Sequence, residues 1–157
     1  MKKVLYAALM LLSTAALVTS CGDDDDNSQS YSQTPAANIQ GTYTGELVAS
    51  YIDPSTSAEV VTTETANIVI TQEQTYLIGL QLSSASVNKQ GVANVSCTSS
   101  GYPFCNKSAD ATNTFGATFA GQVTGNTCSL NYTSDQTVMV GRRPRVVTTT
   151  YVFTGSR

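Results

Sequence analysis

From residue 39 onward the chain alternates apolar and polar residues with a period of two. Between residues 41 and 51, Tyr43, Leu47, Ala49 and Tyr51 fall on one parity with mostly polar neighbours on the other. This pattern predicts a half-buried strand. The turn cluster Asp53-Pro54-Ser55-Thr56-Ser57 follows, and residues 60–70 predict a second strand with Ala66, Ile68 and Ile70 inward. Thr71-Gln72-Glu73-Gln74 reads as the next turn, leading into residues 75–82, where Tyr76, Ile78, Leu80 and Leu82 share a face. A weaker strand covers residues 91–97. Beyond a loop, residues 114–123 set Phe115, Ala117, Phe119 and Val123 in register, and residues 127–133 do the same for Cys128, Leu130 and Tyr132. Val138 and Val140 mark a further short strand, and Val147, Tyr151 and Phe153 alternate with polar residues in the last one. No stretch after Ser20 carries a helical stripe. About eight antiparallel strands joined by short turns predict an all-β domain, either an up-and-down barrel or a two-sheet β-sandwich. Closure would remove the exposed edges of so many uncharged strands.

The N-terminus breaks this pattern. Lys2 and Lys3 precede an almost unbroken apolar run over residues 4–18, and small residues lead up to Cys21, which is the anatomy of a secretory signal. About 15 apolar residues fall short of the roughly 20 that a ~30 Å hydrocarbon core requires. Val18-Thr19-Ser20-Cys21 resembles a bacterial lipobox, which implies that Cys21 becomes the first residue of the processed chain and carries lipid. Several acyl chains on one cysteine would anchor the protein without a spanning helix. Asp23, Asp24, Asp25 and Asp26 form an extended, self-repelling spacer. Acid placed there also resembles the export signal of surface lipoproteins in the Bacteroidota, so the expected location is the cell-surface face of the outer membrane. Gly22 stands where an inner-membrane retention signal has an aspartate. The expected organisation is a signal peptide over residues 1–20, a lipidated cysteine and disordered tether over 21–38, and one domain over 39–157.

Ile39-Gln40-Gly41-Thr42-Tyr43-Thr44-Gly45-Glu46-Leu47, opening a Thr-rich all-β domain behind a lipobox and acidic tether, resembles the calycin-like (lipocalin-like) β-barrel lipoproteins of Bacteroidota. Where true lipocalins open on Gly-x-Trp, this chain has Gly41-Thr42-Tyr43 and no tryptophan anywhere. The resemblance implies a barrel over residues 39–157 and carries no catalytic motif.

Charge and composition narrow the function. The formal net charge is -3. From residue 39 onward basic and acidic residues nearly balance, which gives no electrostatic case for nucleic acid. With no histidine in the chain, Ser-His-Asp and Cys-His nucleophiles and His-ligated metals are excluded. Glu46, Asp53, Glu59, Glu64, Glu73, Asp110 and Asp135 fall on outward parities or in turns, so no catalytic carboxylate pair, metal or cofactor is expected. Cys97 and Cys105 bracket the loop holding Tyr102 and Phe104 and read as a disulfide pinching it shut; bridges from Cys128 to either remain open, and Cys128 otherwise reads as a buried thiol. The aromatic pair is expected to tuck into a barrel mouth or to meet a ligand. Arg142, Arg143 and Arg145 form the one basic cluster. It reads as a solvated hairpin connection, with an anion or glycan carboxylate as its alternative use. The expected function is a non-catalytic surface lipoprotein that binds a small apolar or glycan ligand or docks on an outer-membrane protein. The alternative is a structural, protein-binding module with a filled core.

Overall fold

The computed structural model describes residues 34–107, 112–116 and 118–157. A five-residue helix, α1 (Pro35–Ile39), precedes eight strands: β1 (Gly41–Ile52), β2 (Glu59–Gln74), β3 (Leu77–Ser84), β4 (Asn88–Val95), β5 (Tyr102–Asn106), β6 (Phe119–Thr124), β7 (Thr127–Val140) and β8 (Arg143–Ser156). Each strand pairs antiparallel with the next, and β8 returns to pair with β1. The ring closes as an up-and-down barrel rather than a sandwich.

Alternation decides what fills it. Tyr43 and Leu47, Ile68 and Ile70, Ile78, Leu80 and Leu82, Val95, Phe104, Phe119, Val123, Leu130 and Phe153 all point inward and are buried. Each such side chain contributes about 1.5 to 3 kcal/mol on leaving water. Thr42, Thr44, Thr63, Thr65, Asn131 and Thr154 are exposed on the outside. An apolar inside and a polar outside invert the pattern of a membrane-spanning barrel. Among the described residues no helix is long and apolar enough to cross a membrane.

One end of the barrel is plugged. Pro35, Ala36 and Ile39 of α1 are buried there, and the Ala36 N–H donates to the Thr75 carbonyl at 3.1 Å. The Tyr43 hydroxyl donates to the Ile39 carbonyl at 2.8 Å. Arg157 donates from Nη1 to the Gln40 carbonyl and from Nη2 to the Asn38 carbonyl, with its guanidinium 5.4 Å from the Tyr43 ring centre. Residues 35–38, expected in the tether, therefore belong to the fold. Pro35 supplies the preset first helical position, and five residues are too few to show a helical period.

Four strand expectations are corrected. The stretch expected as a loop between residues 97 and 113 contains β5, which pairs with both β4 and β6. Tyr76 does not share the face of Ile78; it sits in the turn after β2 and is 60% exposed, because β2 runs on to Gln74 through a register shift at Gln72/Gln74. Val138 and Val140 are not a separate strand but the end of β7, paired with β8 as far as Val140↔Arg143. The connection there is Gly141-Arg142, with Gly141 at φ +64°, a left-handed conformation that glycine adopts without cost. Phe115 is buried as expected, but from the loop before β6 rather than from a strand; Ala117 lies outside the described residues.

The strands have unequal lengths, and this shapes the other end. β1 and β2 stay paired out to Ile52↔Glu59, and β7 and β8 out to Val140↔Arg143. The seam between β1 and β8 ends at Ser50↔Thr150, and that between β2 and β3 at Ala66↔Ser84. Two hairpins thus project past the closed ring, on the side opposite α1.

Candidate functional site

Between the two hairpins lies an open cavity of about 460 Å³, within the range of small-molecule sites. Its walls follow from strand parity. β1 contributes Leu47, Ala49 and Tyr51, the turn after it Asp53, β2 Thr62 and Glu64, and the β3–β4 connection Ser86. The facing hairpin contributes Gln136 and Val138 from β7 and Val147, Thr149 and Tyr151 from β8. Below this level the barrel is filled by Phe115, whose ring lies 4.8 Å from Phe119 and edge-on to Tyr132 at 5.2 Å. Asn113 holds the Phe115 loop in place: its Oδ1 accepts from the Phe115 N–H and its Nδ2 donates to the Gly116 carbonyl.

Glu64 is the polar centre of the mouth. Its Oε1 accepts hydrogen bonds from the Ser84 hydroxyl at 2.6 Å and the Ser86 hydroxyl at 2.5 Å. These bonds favour the charged form and hold the carboxyl below its ordinary range. Asp53 is likewise held down, mainly by the Ser55 N–H, which donates to Oδ1 at 2.7 Å. Both are ionised at neutral pH, and among the described residues no Lys or Arg lines the cavity.

Tyr132 and Tyr151 lie opposite each other across β7 and β8, their rings parallel and 4.6 Å apart. Tyr151 is part of the cavity wall, and Tyr132 flanks it from β7 without lining the cavity. Burial pushes the Tyr132 phenol up, with the charges of Tyr151 and Glu64 adding to the shift. Its hydroxyl is buried without a hydrogen-bond partner. Such an orphaned group costs about 1 to 3 kcal/mol.

The residues singled out from sequence are scattered. Cys21 and Asp23, Asp24, Asp25 and Asp26 lie outside the described residues. Phe104 is buried in the core, and Tyr102 is half-buried near the plugged end, where its hydroxyl accepts from Asn38 Nδ2 at 2.9 Å. Neither reaches the mouth. Arg142, Arg143 and Arg145 are exposed at the tip of the β7–β8 hairpin, outside the lining. The Cys97–Cys105 bridge is corrected: Cys97 is a free thiol, Cys128 is a free and buried one, and Cys105 is disulfide-bonded. The β4–β5 register places Cys105 opposite Asn94, three residues before Cys97. That offset is about 10 Å along a strand, beyond the ~7 Å Cα separation a disulfide allows.

Glu64 was expected on an outward parity. It lies two residues before Ala66 on the same strand and faces inward with it. Extending the inward parity of Ala66, Ile68 and Ile70 back by one step identifies it, and the same step along β8 from Phe153 reaches Tyr151.

Among the described residues no group of three or more His, Cys, Asp or Glu is arranged to hold a metal ion. Comparison of the chain with family models, with curated proteins and with solved structures finds no match. What the geometry defines is a closed up-and-down barrel, plugged at one end and open at the other through an acidic, tyrosine-walled mouth.

Proposed function

We propose that this chain is a non-catalytic, lipid-anchored binding module of the outer membrane, similar to the calycin-like lipoproteins of Bacteroidota, whose barrel mouth receives a small ligand or glycan. The observation that carries the reading is the 460 Å³ cavity left open above an otherwise filled barrel. Its wall mixes tyrosine rings with carboxylate, amide and hydroxyl groups, the combination that orients a small polar ring by stacking and hydrogen bonding. The described chain begins at the plugged end. A tether running from Cys21 to Thr34 would attach there, and the mouth would face away from the membrane. The acid run after Cys21 adds the surface address, and an outer-membrane protein is a second partner for a module held at that surface.

Two measurements test this reading. The chain has no tryptophan, so tyrosine emission is unmasked, and a glycan or small-ligand panel that occupies the mouth should change it. Tyr151→Ala should abolish that change while leaving the barrel folded; no response to any member of the panel would favour a protein-docking module. Cys21→Ser should release the protein from membranes, read by alkaline washing and detergent partitioning. Intact mass gives the decisive companion result, because a sulfur committed to a lipid thioether cannot also form a disulfide. An unlipidated chain with Cys21 bridged to Cys105 would overturn the anchor.

A further inference from the structure

Building on the mouth as a ligand site, we propose that it selects an organic cation, an ammonium group seated against Glu64 with its carbon body lying along Tyr51 and Tyr151. The wall around this position is negative. Glu64 and Asp53 are its ionisable acids, and no Lys or Arg in the described residues lines it to neutralise them. Glu64 is also fixed in place. Ser84 and Ser86 both donate to its Oε1, whereas an ionised carboxylate has about four acceptor sites, so capacity remains for a charged N–H donor. A carboxylate already oriented by its neighbours loses little freedom on binding.

The rings supply the second half of the recognition. A tyrosine face is electron-rich and attracts a cation placed over it. Tyr132, only 3% exposed, stacks flat on Tyr151 from the neighbouring strand and braces it. A purely apolar ligand would leave Glu64 desolvated and unpaired, which is costly.

Arg143 and Arg145 have the inward parity of Val147 and Thr149, so they border the opening and mark the competing choice, an anion held at the rim. A matched trio of probes separates the choices: phenethylamine, phenethyl alcohol and phenylacetate, titrated against the full chain at pH 7 and low salt while the Tyr51 and Tyr151 ring resonances are followed by NMR. Phenethylamine should bind at least about fivefold tighter than the alcohol and tighter still than phenylacetate, with the preference reduced by added salt. Glu64→Gln, which keeps the shape and the serine contacts, should erase that preference; Arg145→Gln should leave it intact. Equal binding of alcohol and amine, or a preference that survives Glu64→Gln, overturns the cation while the mouth stands as a ligand site. Tighter phenylacetate binding, lost in Arg145→Gln, overturns it in favour of the rim. If none of the three moves the mouth resonances, the cation inference falls; a glycan response in the tyrosine assay would still leave the broader reading in place.

Discussion

Gly45→Ala is expected to cost more than any other single-methyl addition in this barrel, about 3 kcal/mol or more. Gly45 pairs with Gly155 at the seam where β1 meets β8 and the ring closes. A Cβ on Gly45 would run into the carbonyl oxygen of Thr154 and the Cα of Gly155. Both are backbone atoms, so no rotamer change relieves the contact and the strand itself must shift. Gly155 shows the same constraint from the other side, where a Cβ would stand 2.8 Å from the Thr44 carbonyl oxygen. Gly79 is the control. Its added Cβ would meet the side-chain oxygens of Thr71 and Glu73 at 2.6 and 2.8 Å, exposed ends that can swing away. Gly79→Ala should therefore stay within about 1 kcal/mol of the parent. A loss of 3 kcal/mol is a large share of the roughly 5 to 15 kcal/mol that stabilises a domain. Parting the seam would also expose two unpaired strand edges. Denaturant midpoints, with gel filtration to detect association, measure both effects. Equal midpoints for the two variants would mean that the seam has room the geometry denies it.

The seam also shows what the sequence could and could not reveal. The inward faces of β3 and β7 were legible because period-two alternation is local: Ile78, Leu80 and Leu82, and then Cys128, Leu130 and Tyr132, carry their parity without reference to the rest of the fold. The count of eight agrees only because the separate strand expected at Val138 and Val140 offsets β5, which reads as a loop. What was not legible depends on how far strands run past one another. Glu64 has the inward parity of Ala66, but parity alone does not separate a core position from a mouth position. Only the projection of β1–β2 beyond the ring, paired out to Ile52↔Glu59, turns it into a cavity wall. The hairpin between β4 and β5 failed for a related reason. Cys97 and Cys105 look like two ends of one loop, yet pairing of Asn94 with Cys105 sets the loop's closure elsewhere. Helix α1 was missed because its few residues are held by long-range partners, Thr75 and Arg157, rather than by any helical pattern of their own.

The stability of the parent and of Cys128→Ala should cross as pH rises, and the crossing tests the inward placement of β7. Cys128 is fully buried with a free thiol, and burial pushes that thiol up to about 12, against about 8.5 in an unfolded chain. Below pH ~8.5 both states keep the proton, and the thiol's only contribution is packing. Alanine there leaves a small void and costs about 1 kcal/mol. Between roughly pH 8.5 and 12 only the unfolded chain gives up the proton, so the parent loses about 1.4 kcal/mol per pH unit that the alanine variant does not. The curves should meet a little above pH 9, and by pH 10.5 the variant should be the more stable by roughly 1 to 2 kcal/mol. Tyr43, the titratable neighbour whose phenol burial also pushes up, is present in both proteins and largely cancels in the difference. Cys128→Asp carries the same argument to its extreme. A carboxylate at this fully buried site would lose its hydration, and its burial should cost on the order of 3 to 5 kcal/mol at pH 7, easing only as acid protonates it. Denaturation of the three proteins between pH 4 and 10.5, with thiol labelling of the native parent, reads out the series. A parent whose Cys128 reacts as fast as a free peptide thiol, or a parent and alanine variant that stay parallel across the alkaline range, would place the thiol in water and shift the register of β7 by one.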